Sequence, residues 1–249
     1  MSADGLAGLL RSFRVPTMAA LWEESAGRAE RENWGYRRFL QHLCESEAQD
    51  RRERKMQRLL KESGLPSGKT LGNLDENLLP AKIRRLLPTL LEGHFVPRAE
   101  NVLAFGLPGR GKSHCMAAVA RELILRHSYP VLFTPTFKLV QQLLAAKQAL
   151  KLEAWLKKLD RYAVVVLDDI GYVQQNREEM EVLFTFLAER YERRSVMITS
   201  NLVFSKWDQI FKDPMTTMAA IDRLVHHAQI LEFTGESVRA QKAQERERK

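Results

Sequence analysis

Cysteine is almost missing from this chain of 249 residues: there are two, Cys44 and Cys115, far apart in stretches of helical character. So sparse a set excludes a disulfide framework and offers no metal-ligand spacing, and free thiols in a reducing compartment are expected. Long hydrophobic runs are missing too. No segment is apolar enough over enough length to span a bilayer, and the N-terminal stretch lacks the apolar core of a secretory signal. A soluble, cytoplasmic protein with no membrane partner is expected. No internal repeat is visible, which excludes a solenoid or a propeller. Acidic residues fall short of basic ones, 31 against 39, leaving a formal charge of +8. That balance suits a polyanionic partner, of which nucleic acid is the commonest, although a merely soluble basic protein has the same composition. The apolar fraction of 45% is ordinary, and the length allows one or two domains with a core.

Against this plain background, residues 106–113 read Gly-Leu-Pro-Gly-Arg-Gly-Lys-Ser and match the phosphate-loop pattern G-x-x-x-x-G-K-[ST] at every fixed position. Gly106, Gly109 and Gly111 let the backbone curl so that successive N–H groups face phosphate oxygens. Lys112 places a full charge near the β- and γ-phosphates, and the Ser113 hydroxyl is suited to Mg²⁺. The flanks agree: an apolar strand-like run at 101–105 precedes the loop, and a stretch without Gly or Pro follows it. Such a helix aims its N-terminal dipole at the phosphates. Pro108, Arg110 and His114 complete the candidate nucleotide-binding set, and ATP with Mg²⁺ is the expected cofactor pair.

The chain divides by pattern. Residues 1–67 read as a small all-helical domain. Leu6, Leu9, Leu10 and Phe13 lie at helical spacing, Pro16 opens a second segment, and Asp50 and Arg54 form an i,i+4 pair. This domain carries no chemistry and reads either as a docking or self-association module or as a solvated cap. Gly64, Pro66 and Gly68 read as a linker. Residues 68–235 then alternate. Helical patterns at 79–93, 136–159 (broken in two) and 177–193 are interleaved with strand-like runs at 101–105, 131–133, 163–167 and 195–199. The fold class is therefore α/β, a parallel sheet sandwiched by helices. A charged tail, 236–249, has too little apolar content to fold.

Two strand tips supply further candidates. The buried-type strand 163–167 runs into Asp168 and Asp169. Asp168 is placed to hold Mg²⁺ and Asp169 to orient or deprotonate the attacking water. The next strand ends at Asn201, which serves either to hold that water or to cap a following helix. Arg223 is suited to phosphoryl charge in the transition state, in cis or from a neighbouring subunit, or else pairs with Asp222 on the surface. His226 and His227, if helical, point about 100° apart and make no compact ligand pair, so they read as surface or interface residues.

Together these residues resemble the AAA+ ATPases, and more closely the IstB-like transposition helper ATPases, relatives of DnaC-type helicase loaders. The resemblance rests on residues 106–113, 166–173, 199–201, 222–227 and 235–239 and covers most of the chain. It implies a P-loop AAA+ ATPase that assembles as a homo-oligomer on double-stranded DNA, with ATP at subunit interfaces, and recruits and stimulates a partner transposase. It makes Asn201 the first sensor and Arg223 the finger acting on a neighbour's ATP. It also makes the 136–159 insertion DNA-facing, with Lys138, Lys147 and Lys151 as candidate contacts or as ordinary solvated lysines. Two departures accompany it. Asp169 stands where the family pattern has glutamate, one methylene longer, which implies slow or partner-dependent hydrolysis. The C-terminal lid is reduced or absent, leaving Arg239 as the second-sensor candidate. The alternatives are a helicase loader, a small-molecule P-loop kinase, and an ATP-locked, non-hydrolysing DNA scaffold.

Overall fold

A computed structural model of the chain describes residues 3–170, 177–202 and 221–235. The expectations for residues 171–173, for Arg239 and for the tail lie outside the described residues. Two units are distinguished, one ending at Arg58 and the other beginning at Leu59.

The first unit holds α1 (Ala3–Ser12), α2 (Pro16–Arg31) and most of α3 (Tyr36–Glu62). Pro16 opens α2, where its missing N–H removes no intrahelical bond. The buried Glu47 carboxylate accepts from the backbone N–H groups of Thr17 (2.8 Å) and Met18 (3.2 Å). An acidic side chain of α3 thus satisfies the start of α2 and complements its dipole. Arg51 and Arg54 approach the same carboxylate at 3.3 and 3.5 Å, and the expected Asp50–Arg54 pair forms at 3.0 Å.

In the second unit, five parallel strands lie in the order β2-β3-β4-β1-β5. They are β1 (Asn101–Phe105), β2 (Val131–Pro135), β3 (Val164–Asp168), β4 (Ser195–Ser200) and β5 (Ala228–Glu232). The helices are α4 (Ala81–Glu92), α5 (Lys112–His127), α6 (Thr136–Gln148), α7 (Leu152–Asp160) and α8 (Arg177–Arg190). Alternate strand residues face opposite ways. Val102, Ala104, Val164, Val166 and Met197 pack with Leu87, Leu90 and Leu123 of α4 and α5. Leu103, Phe105, Val165, Leu167 and Ile198 pack with Leu139, Leu143, Leu183 and Phe186 of α6 and α8. Both faces are covered, which is why the strands read as unbroken apolar runs.

Three features differ from the sequence reading. β5 was not anticipated. Its residues are mostly half-buried, and it exists by pairing with β1, from Asn101 opposite Ala228 to Phe105 opposite Glu232. The stretch read as a linker is part of the second unit: Ser63 O accepts from Phe133 N at 2.7 Å, occupying the open edge of β2. A Cβ on Gly64 would lie 2.8 Å from Phe133 O, so a glycine stands there. Asp168 is the last residue of β3 rather than the first beyond it.

Candidate functional site

The loop 106–111 leaves β1 and enters α5 at the carboxyl end of the sheet. Its first glycine is fixed by packing: at φ 146°, a Cβ on Gly106 would lie 2.3 Å from Phe233 O. Phe233 N in turn donates to Phe105 O (2.7 Å), and Gly106 N donates to Ser200 O (3.2 Å), so the loop's root is held between the ends of β4 and β5. Gly111, at φ 87°, precedes α5 in the left-handed region that a side chain would disfavour. Lys112 and Ser113 then form the first turn of α5, whose N–H groups have no carbonyl four residues back and face outward as anion donors.

Lys112 is 5% exposed and its Nζ donates to Gly106 O (2.6 Å), Leu107 O (2.9 Å) and Asn201 Oδ1 (2.8 Å). Asn201 Nδ2 donates to Asp169 Oδ1 at 2.8 Å. Asp169 N donates to Thr199 Oγ1 (2.8 Å), and that hydroxyl donates to Asp168 Oδ1 (2.7 Å). One hydrogen-bonded chain therefore runs from the phosphate loop through the tip of β4 to both carboxylates. The helix-cap alternative for Asn201 concerned residues 205–207, which lie outside the described residues. Thr199 had no role in the sequence reading. Its signal was a hydroxyl directly after the apolar run 196–198 of β4, two positions before Asn201.

The remaining loop residues brace the site. Arg110 Nη1 donates to Phe233 O at 3.1 Å, and Pro108 is exposed. His114 Nε2 meets Thr70 O at 2.9 Å, fastening the segment around Leu71 and Leu74 beside α5. Burial pushes the Cys115 thiol, one residue further on, up to about 12.

Arg223 is not brought to this site. It is exposed on the short helical stretch 221–225. Asn101, the first residue of β1, holds that region through Nδ2 to Leu224 O (3.1 Å) and N to His227 O (2.7 Å). Arg223 therefore lies at the amino end of the sheet, where it shares a cleft with Asn101, Tyr191 and Arg194. The phosphate loop is at the other end of the same strand. His226 and His227 are exposed as expected, but they follow the helical stretch rather than lie in it, and their rings are 4.1 Å apart. With Glu192 they bring three exposed ligand atoms within 4.8 Å of one another. Tyr191 OH lies 3.2 Å from His226 Nδ1.

The stretch expected to be a DNA-facing insertion is two helices, α6 and α7, joined at the 95% exposed Leu150, whose φ is 56°. Lys138 and Lys151 are exposed, whereas Lys147 Nζ is paired with Glu181 at 2.8 Å. Arg190, also without a role in the sequence reading, is 2% exposed and donates to the carbonyls of Leu159, Tyr162, Ala163 and Ser195. Burial pulls its guanidinium down to about 9, which leaves it cationic at neutral pH.

The donor set fits a polyphosphate: backbone N–H groups at a helix start, a glycine loop and one ammonium. The hard oxygen donors of Ser113, Asp168 and Asp169 fit a small divalent cation.

Comparison with known proteins gives a consistent result. A family model described as IstB-like ATP binding protein matches residues 8–246. An insertion-sequence ATP-binding protein of Sinorhizobium fredii is 42% identical over 241 residues, covering 96% of this chain and 80% of that protein. The IS21 insertion-sequence ATP-binding protein of Pseudomonas aeruginosa is 36% identical over 231 residues, covering 93% and 87%. Among solved structures, the DnaC helicase loader superposes with a TM-score of 0.53 at 17% identity, over 61% of this chain and 89% of that one, a likeness of fold.

Proposed function

Because the chain belongs to the IstB-like ATP binding protein family, we propose that it is an ATP-dependent, DNA-bound helper of an insertion-sequence transposase. The observation that carries this reading is the hydrogen-bonded chain Lys112–Asn201–Asp169, which ties a phosphate-binding cation to an acid through one amide side chain. In this reading residues 106–114 grip ATP, and Mg²⁺, held by Ser113 and Asp168, neutralises phosphate charge when bound. Asp169 takes the proton of the attacking water, and Asn201 positions that water against the terminal phosphate. Lys112 exchanges its carbonyl and amide acceptors for phosphate oxygens, which couples nucleotide arrival to Asn201 and Asp169.

The protein works as a homo-oligomer with ATP at subunit interfaces. Arg223 lies at the amino end of β1 and the phosphate loop follows its carboxyl end. Five strand residues separate the two by about 13 Å, so Arg223 serves a neighbouring subunit's phosphates. Lys138 and Lys151 on the α6–α7 insertion meet double-stranded DNA, supported by the net charge of +8. Lys147 contributes less because Glu181 already pairs with it. A transposase is the protein partner recruited and stimulated by the assembly.

Sedimentation of the protein alone, with ATP, with duplex DNA and with both tests the reading. Growth that needs both ligands supports it, and a monomer under all four conditions contradicts it. A second reading, an ATP-locked scaffold, is favoured by one observation: the Asp169 carboxylate is short and already engaged by Asn201. Turnover in the presence of DNA and transposase separates the two.

A further inference from the structure

We propose that Thr199 is a positioning residue for both carboxylates, setting the backbone of Asp169 and the aim of Asp168. The inference rests on the ATPase reading for its catalytic consequence, but its structural content stands on the β3–β4 junction alone.

The Thr199 side chain has one hydroxyl and two jobs. It accepts from Asp169 N at 2.8 Å and donates to Asp168 Oδ1 at 2.7 Å. The residue is 1% exposed, so no bulk water substitutes for either bond. Asp169 has φ 61°, a left-handed conformation uncommon for a non-glycine residue. The amide that Thr199 receives is the amide of that residue. The opposite side of the same turn is fastened by Thr136 Oγ1, which donates to Asp168 O at 3.1 Å. Thr199 is in turn fixed in β4 between its neighbours, with Ala104 of β1 opposite it. One buried hydroxyl therefore directs one oxygen of Asp168 away from rotation and holds the turn that presents Asp169 to Asn201.

The test uses full-length Thr199→Val, nearly isosteric and suited to a strand, with Thr199→Ser as the conservative rescue and Thr199→Cys should the valine variant not fold. Three quantities are measured: exchange of the Asp169 amide by NMR, the Mg²⁺ midpoint for binding of a fluorescent ATP analogue, and single-turnover hydrolysis. Loss of an outer partner of a metal-binding carboxylate costs about tenfold to a hundredfold. Thr199→Val, or Thr199→Cys in its place, is expected to exchange the Asp169 amide at least about tenfold faster and to raise the Mg²⁺ midpoint about tenfold. Nucleotide binding without Mg²⁺ stays as in the wild type, and Thr199→Ser restores all three quantities. Wild-type exchange and a wild-type Mg²⁺ midpoint in the variant overturn the proposal, whatever the melting temperature. If the wild-type protein binds no ATP, the ATPase reading fails, and the Asp169 exchange ratio still decides the role of Thr199.

Discussion

Mixing two inactive variants is the sharpest test of how Arg223 is used. The arginine region is bonded to Asn101 at the start of β1, and the phosphate loop leaves the end of that strand. Five residues of parallel strand extend about 13 Å, and an arginine side chain, six bonds from Cα to Nη, reaches about 7 Å. No rotamer of Arg223 spans that gap, so in the proposed assembly its target is on a neighbouring subunit. Arg223→Ala alone should lower turnover by about 10³-fold or more, the usual worth of such an arginine. Lys112→Ala alone should be inactive for lack of the ammonium that holds the terminal phosphates. When the two are mixed one to one before DNA and ATP are added, about a quarter of head-to-tail junctions join an intact loop to an intact arginine. The mixture should then recover roughly a quarter of wild-type turnover in a phosphate-release assay, since each such junction acts alone. A mixture no more active than the sum of its components would refute the reasoning, because an arginine acting in cis gives no rescue.

Three other outcomes are expected. Asp169→Asn should keep ATP and DNA binding and lose turnover by about 10²- to 10⁴-fold, the worth of a general base; near-wild-type turnover would move that role elsewhere. Arg190→Met removes the cation that four backbone carbonyls share, which should cost roughly 3 kcal/mol and lower the melting temperature by about 10 °C. An unchanged melting curve would show those carbonyls to be satisfied without it. Cys115 is fully buried with its thiol pushed up to about 12, whereas Cys44 is exposed. Maleimide at neutral pH should therefore label Cys44 alone in the folded protein and both thiols in denaturant, and fast labelling of Cys115 under native conditions would contradict its burial.

The parts of the fold that could be read from sequence were those governed locally. The phosphate loop is legible because its glycines meet a steric demand of the loop itself, seen in the positive φ of Gly109 (82°) and Gly111 (87°). β3 and β4 are legible because burial on both faces makes their central residues, 164–167 and 196–198, unbroken apolar runs. What was hidden depends on partners distant in sequence. β5 is a half-buried edge strand whose existence rests on its register with β1. Gly64 and Pro66 carry linker chemistry, yet Ser63 completes the edge of β2. In the site, Asp168, Asp169 and Asn201 announced themselves as polar residues at strand tips. The role of Thr199 needed the β3–β4 pairing to become visible. Which end of the sheet receives Arg223 was set by two hydrogen bonds from Asn101, and no local pattern encodes that.

The central claim is that residues 106–113, with Asp168 and Asp169, form a Mg–ATP site. Equilibrium binding of ATP in Mg²⁺ to the wild type and to Lys112→Ala tests it most directly. One buried ammonium contact with phosphate is worth about 1.5–3 kcal/mol, or roughly 10- to 100-fold in Kd. The wild type should bind one ATP per chain, and Lys112→Ala should bind at least about tenfold more weakly. Equal affinity in the two proteins would contradict the account.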